Sequence, residues 1–231
     1  MNTYDVLYVD PPWKYNNKAS NGAAENHYST MSLEELKAMP VRELASKDAV
    51  LFMWWTPTHA ADALELVKSW GFTFKNMNAF TWCKLNRNTM DRVSRRMWQF
   101  AKDLQDKADE ADVRKPKIAD FNLIAEDMLS MFINEAFMGM GNYTRGNAEC
   151  VLVATRGKAL DRFSKAEKQM IIKPLDDHST KPEEVATRIS RIYPYHRKIE
   201  LFARRPRIGW HIFGDEPGVA FDVRYDGERF R

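Results

Sequence analysis

The chain has 231 residues, 44% of them hydrophobic and 29% charged, with a formal net charge of +3. This suffices for one well-buried domain, while no apolar run approaches the length that spans a bilayer, no N-terminal signal pattern is present, and so small a net charge does not announce a nucleic-acid partner. The two cysteines, Cys83 and Cys150, fall in predicted core strands with neither zinc spacing nor a disulfide framework, so two buried thiols, no metal and a cytoplasmic setting are expected.

In chain order, Tyr4 to Val9 is short, β-branched and aromatic, and reads as a buried strand. It ends abruptly at Asp10-Pro11-Pro12-Trp13. Neither proline can donate to a sheet ladder, and Pro11 pushes Asp10 into an extended conformation. A carboxylate, a rigid donor-free corner and a large aromatic therefore meet at a strand's carboxyl end, where open α/β sheets gather ligands. That set suits one chemistry. The exocyclic amine of a nucleobase is a poor nucleophile because its lone pair is delocalised into the ring. The Asp10 carboxylate and the Pro11 carbonyl could each accept one N–H of such an amine, drawing the nitrogen toward tetrahedral geometry, while Trp13 stacks on or walls off the base. The same four residues also read as a proline-terminated strand with an aspartate in the turn.

Residues 14–31 are polar and irregular, and read as a flap over the site, or as a surface loop with one aromatic tucked inward. Ser32-Leu33-Glu34-Glu35 is a capping box opening a short helix that ends near Pro40. Asp48 to Trp55 reads as a strand; Thr56-Pro57 starts a helix with Ala60, Ala63, Leu64, Val67 and Trp70 at helical spacing, which Gly71 ends; Phe72 to Trp82 reads as another strand. Strand–helix–strand order is that of an α/β sheet.

Residues 86–138 differ in character. Met90 to about Asp109 is predicted helical, basic at first (Arg92, Arg95 and Arg96 with Trp98 and Phe100, following Lys84 and Arg87) and then acidic. Ile118 to Phe137 is a helix with a broad apolar face. The basic-aromatic half could grip nucleic acid. Alternatively the segment is a partner or self-association surface, giving a homodimer, or simply a solvated helical face. The three glycines of residues 139–146 do not make a dinucleotide fingerprint, because the third comes too late and a strand follows. They shape a loop, in which Arg145 could contact a phosphate or a carboxylate. Glu149 to Arg156 and Gln169 to Lys173 read as strands, Thr180 to about Tyr193 as a helix, Arg197 to Ala203 as the final strong strand, and the tail as a hairpin around Asp226-Gly227. Lys181 at that helix start would make an anion site, or stand as a surface lysine. Glu200, an acid in an apolar strand beside Arg204 and Arg205, needs a partner: a cationic ligand group or an arginine.

Asp-Pro-Pro-Trp after a hydrophobic strand resembles the signature of the MT-A70 family of S-adenosylmethionine-dependent adenine-N6 methyltransferases. Further stretches fall in the family's order: Tyr28-Ser29-Thr30-Met31, Leu51 to Thr56, Trp82-Cys83-Lys84, Glu149 to Leu152 with Arg156-Gly157, His178 to Pro182, Lys198 to Arg204, Trp210, and Gly214-Asp215-Glu216. The resemblance covers nearly the whole chain except roughly residues 86–138, where the family has a shorter connection. It implies a Rossmann-like class I methyltransferase sheet flanked by helices, in one domain over 1–231, with the catalytic strand ahead of the cofactor strand (the permuted motif order) and a helical insertion.

The resemblance further implies Asp10, Pro11, Pro12 and Trp13 as catalytic residues, and Tyr28, Lys84 and Arg145 as substrate contacts. Lys181, Glu200, Phe202, Arg204, Asp215 and Glu216 would hold S-adenosylmethionine. Several family members carry amides where Asp215 and Glu216 stand, which bears on how the cofactor's ribose is held. DNA is expected as the substrate, as in bacterial and prophage members, because no RNA-binding module is attached. The alternatives are RNA methylation and a non-catalytic member that binds nucleic acid beside a partner; the intact signature weighs against the latter.

Overall fold

The computed structural model describes residues 3–14, 30–109, 118–139, 141, 143–176, 180–215 and 218–231. Its elements are β1 (Tyr4–Val9), α1 (Leu33–Ala38), α2 (Val41–Leu44), β2 (Ala45–Trp55), a 3-10 turn (Pro57–His59), α3 (Ala60–Ser69), β3 (Thr73–Leu85), α4 (Thr89–Asp109), α5 (Ile118–Asn134), β4 (Ala148–Arg156), β5 (Met170–Pro174), α6 (Glu183–Ile192), β6 (Lys198–Leu201) and β7 (His211–Phe213). The seven strands lie in the order β5-β3-β4-β2-β1-β6-β7. β1 runs parallel to β2 and β6, and β6 parallel to β7, whereas β2 and β4 are antiparallel. This is a mixed Rossmann-like α/β sheet with flanking helices.

The chain forms two compact units. One comprises Met1–Thr81, Glu149–Gln169 and Glu183–Arg231; the other comprises Trp82–Ala148 and Met170–Pro182. In the first, β1 is central, and the buried run Val6 to Val9 follows from cover on both faces. Leu7 and Val9, with Leu51, Met53, Ile199 and Leu201, share one buried cluster with Leu36 of α1 and Leu66 of α3. Trp70, which follows α3, donates its indole N–H to the Leu36 carbonyl at 2.9 Å and ties the two helices together. On the other face Tyr8 meets Trp210 edge-on, and Trp210 donates to Ser190 of α6 at 3.0 Å. The buried Val185, Ala186 and Ile189 give α6 its apolar side.

Local chemistry sets the element ends. The Ser32 capping box is formed: its N–H donates to Glu35 at 2.7 Å, and the Glu35 N–H donates back to the Ser32 hydroxyl at 3.3 Å. β2 begins three residues earlier than its apolar run, at Ala45, because Tyr4 of β1 pairs there. β6 stops at Leu201 rather than Ala203, because Phe202 turns into the left-handed region at φ 62°. The expected tail hairpin is present, with Arg224 and Arg231 exchanging backbone hydrogen bonds around Gly227 at φ 98°. Cys83 and Cys150 are half-buried, not buried; each sits within three residues of a strand end.

Within the second unit, α4 and α5 realise the two predicted insertion helices. The glycine segment makes a loop, as expected. Gly139 donates to the Gly146 carbonyl at 3.1 Å, and a Cβ on Gly139 would lie 2.3 Å from that oxygen.

Candidate active site

Parallel pairing of β1 and β6 brings two carboxyl ends together. Val9 stands beside Leu201, and the Asp10 N–H reaches the Leu201 carbonyl at 3.5 Å. Asp10 is partly exposed at this edge, and Phe202 begins the turn opposite it. Phe202 is the one non-glycine residue with positive φ among the described residues. Such a conformation costs about 1–3 kcal/mol and marks functional segments. Its ring packs edge-on against Phe213, at 5.8 Å between centroids.

The two prolines build a tight corner. Trp13 N–H donates to the Pro11 carbonyl at 2.8 Å, and Met31 N–H to the Pro12 carbonyl at 2.8 Å. Each carbonyl oxygen has a second lone pair, so Pro11 can still accept from a ligand. The Met31 bond also fastens the end of the 14–31 segment to the signature. Trp13 itself is only 5% exposed, and its ring stacks on His59 at 5.2 Å with 17° between planes. Its indole N–H meets no acceptor among the described residues. The His59 stack holds the ring against the protein.

His59 is a site residue that pattern reading missed. Its Nε2 lies 3.1 Å from the Lys14 carbonyl, which can only accept, so that nitrogen carries the hydrogen. Nδ1 lies 3.1 Å from both the Thr56 and the Thr58 hydroxyl, which stand 3.2 Å from each other. The ring is locked between the end of β2 and the signature corner. A Thr-Pro-Thr-His turn directly after a core strand was the available signal.

Behind Asp10 lies a charged cluster on the α6 face. Glu200 stands in register with Tyr8, and its side chain is 14% exposed. Arg207 Nε donates to it at 2.8 Å, and the same guanidinium pairs with Glu183, the first residue of α6. Burial, then the negative charge of Asp10, push the Glu200 carboxyl up to about 8. Tyr8 is buried, accepts from Trp54 Nε1 at 2.6 Å, and is held well above the usual phenol range by burial and by Glu200. Of the two partners foreseen for Glu200, the structure shows the arginine.

The remaining candidates are placed as follows. Asp215 is exposed after β7, where Gly214 lets the chain pass Ala203 closely: a Cβ there would lie 2.3 Å from the Ala203 carbonyl. Arg204 is half-buried just beyond Phe202. In the second unit, half-buried Lys84 has its ammonium 5.2 Å from the Trp82 ring centre, and Arg145 is exposed. Lys181 precedes α6 by two residues instead of standing within its first turn. Tyr28, Glu216, His178 and Ser179 lie outside the described residues.

A model of the MT-A70 family matches residues 4–103 and 132–216. The chain belongs to the MT-A70 family. It is a methyltransferase of the adenine-N6 kind. Among its relatives, the Type II methyltransferase M.MunI of Mycoplasma sp is 28% identical over 245 residues, covering 97% of this chain and 83% of that protein. An N(6)-adenosine-methyltransferase MT-A70-like protein of Arabidopsis thaliana is 22% identical over 218 residues, 94% of this chain but 24% of the relative. The N(6)-adenine-specific methyltransferase METTL4 of Mus musculus is 37% identical over 54 residues, 23% of this chain and 11% of that protein. The stretch that the family model leaves unmatched, between residues 103 and 132, lies inside the predicted insertion.

The donor set of this MT-A70 protein suits S-adenosylmethionine. Asp10 stands partly exposed at the strand edge and can face a cationic ligand, while Glu200 is taken up by Arg207. The exposed Asp215 carboxylate can accept from ribose hydroxyls. No described helix is long and apolar enough to cross a membrane.

Proposed function

We propose that this protein methylates the N6 amine of adenine in DNA, using S-adenosylmethionine. The observation that carries the reading is the Asp10-Pro11-Pro12 corner at the carboxyl end of β1, set against the turn that follows β6. When bound, the cofactor supplies an electrophilic methyl group. Asp10 accepts one N–H of the adenine amine and the Pro11 carbonyl's second lone pair accepts the other. The nitrogen lone pair is thereby freed to attack. The proton that the nitrogen sheds on methylation would pass by way of Asp10 to solvent. Alignment of the amine with the methyl group is the main contribution of the fold. The adenine must leave its stack to reach the corner.

Trp13, backed by His59, forms a fixed wall of this corner, with Tyr28 as a second aromatic beside the base. Glu200, Phe202, Arg204, Asp215 and Glu216 hold the cofactor, and Lys181 its carboxylate. Lys84 and Arg145 contact the nucleic acid. We take 1–231 as one methyltransferase domain with 86–138 inserted. DNA is favoured by the near full-length match to a Type II methyltransferase, against a match to about a quarter of the adenosine-directed Arabidopsis relative. The test is incubation with methyl-labelled cofactor and matched DNA and RNA oligonucleotides, followed by nucleoside analysis. Labelled N6-methyladenine in DNA is expected. Label confined to RNA would overturn the choice of substrate, and label in neither would overturn the activity.

A further inference from the structure

α4 divides its cations between two directions. Arg92 Nη1 donates to both Glu135 carboxylate oxygens, at 3.0 and 3.1 Å, and Arg96 pairs with Asp127 of α5 at 3.5 Å. Val93 and Thr89 are buried on the same side. Arg95, Trp98 and Lys102 follow at i, i+3 and i+7, which makes one stripe along the helix. All three are exposed; Trp98 is 65% exposed, and the Lys102 ammonium sits 5.8 Å from its ring centre. A solvated face calls for polar residues and not for a bare indole.

We propose that the Arg95–Trp98–Lys102 stripe of α4 is a nucleic-acid contact surface additional to the Asp10 corner. The proposal rests on the nucleic-acid reading above and names where this chain grips its substrate. Charge complementarity selects the partner: residues 84–102 hold six lysines and arginines against the single acid Asp91. An aromatic ring between two cations offers a base a stacking platform and its flanking phosphates a counter-charge. The reversal to acid at Asp103 and Asp106 bounds the surface. From Thr89 to Lys102 the helix extends about 20 Å, enough for a few nucleotides rather than a long tract.

The test measures equilibrium binding of the full chain to labelled duplex DNA, single-stranded DNA and RNA over a salt series. Arg95→Ala with Lys102→Ala should lower the slope of log affinity against log salt by roughly 1.8 on duplex, as two phosphate contacts require. Trp98→Ala should weaken single-strand binding by roughly 5- to 150-fold, with Trp98→Phe restoring most of it. In turnover, KM for nucleic acid should rise while kcat and cofactor affinity hold. Unchanged unfolding midpoints verify that the variants are folded. If affinity and salt slope match the parent on all three nucleic acids, the proposal is overturned. If the losses appear with RNA alone, the stripe stands and the choice of DNA fails.

Discussion

Glu200 makes the most quantitative prediction. Its carboxyl ionises at about 8 in the folded chain, against an ordinary value of 4.5, mainly because it is buried. The folded protein therefore keeps a proton that the unfolded chain has already released across that window. The sign follows directly: with more protons bound when folded, stability falls as pH rises between these values. The loss is at most about 1.4 kcal/mol per pH unit, and about 5 kcal/mol over the whole interval. Glu200→Gln cannot titrate, and its amide oxygen can still accept from Arg207 Nε, whose bond to the carboxylate is 2.8 Å. Urea unfolding at several pH values between about 5 and about 9, for parent and variant, isolates the term. The parent should lose several kcal/mol more than the variant as pH rises. Parallel curves for the two proteins would refute the burial argument.

Two other perturbations follow from the same geometry. Trp54→Phe removes the buried indole N–H that donates to Tyr8 at 2.6 Å, and should lower unfolding free energy by about 1–3 kcal/mol; an unchanged urea midpoint would show the bond to be dispensable. Lys181→Ala should weaken S-adenosylmethionine binding in titration calorimetry while leaving nucleic-acid affinity unaltered, and equal cofactor affinity in both proteins would leave Lys181 an ordinary surface lysine.

Much of the fold was legible because its signals are local. β1 announced itself by a short β-branched and aromatic stretch ended by two prolines, the Ser32 box by its spacing, and α5 by periodicity. What was not legible depends on how the chain turns after its strands. Glu200 was recognisable as an acid needing a partner, but that Arg207 supplies it, bridged to Glu183, follows from where the turn after β6 returns over α6. Trp13 read as a ring that stacks on or walls off a base; only the end of β2, folded against the signature, shows that His59 backs it. The left-handed turn at Phe202 had no cue, because a phenylalanine gives no hint of positive φ.

The central claim is that one carboxylate at the end of β1 prepares the adenine amine for attack. Asp10→Ala, assayed for methyl transfer to DNA beside calorimetric titration with S-adenosylmethionine, tests it most directly. The account predicts turnover down by at least about 10²-fold, the usual scale of a lost proton acceptor, with cofactor affinity within a few-fold of the parent. Turnover near the parent's would contradict it.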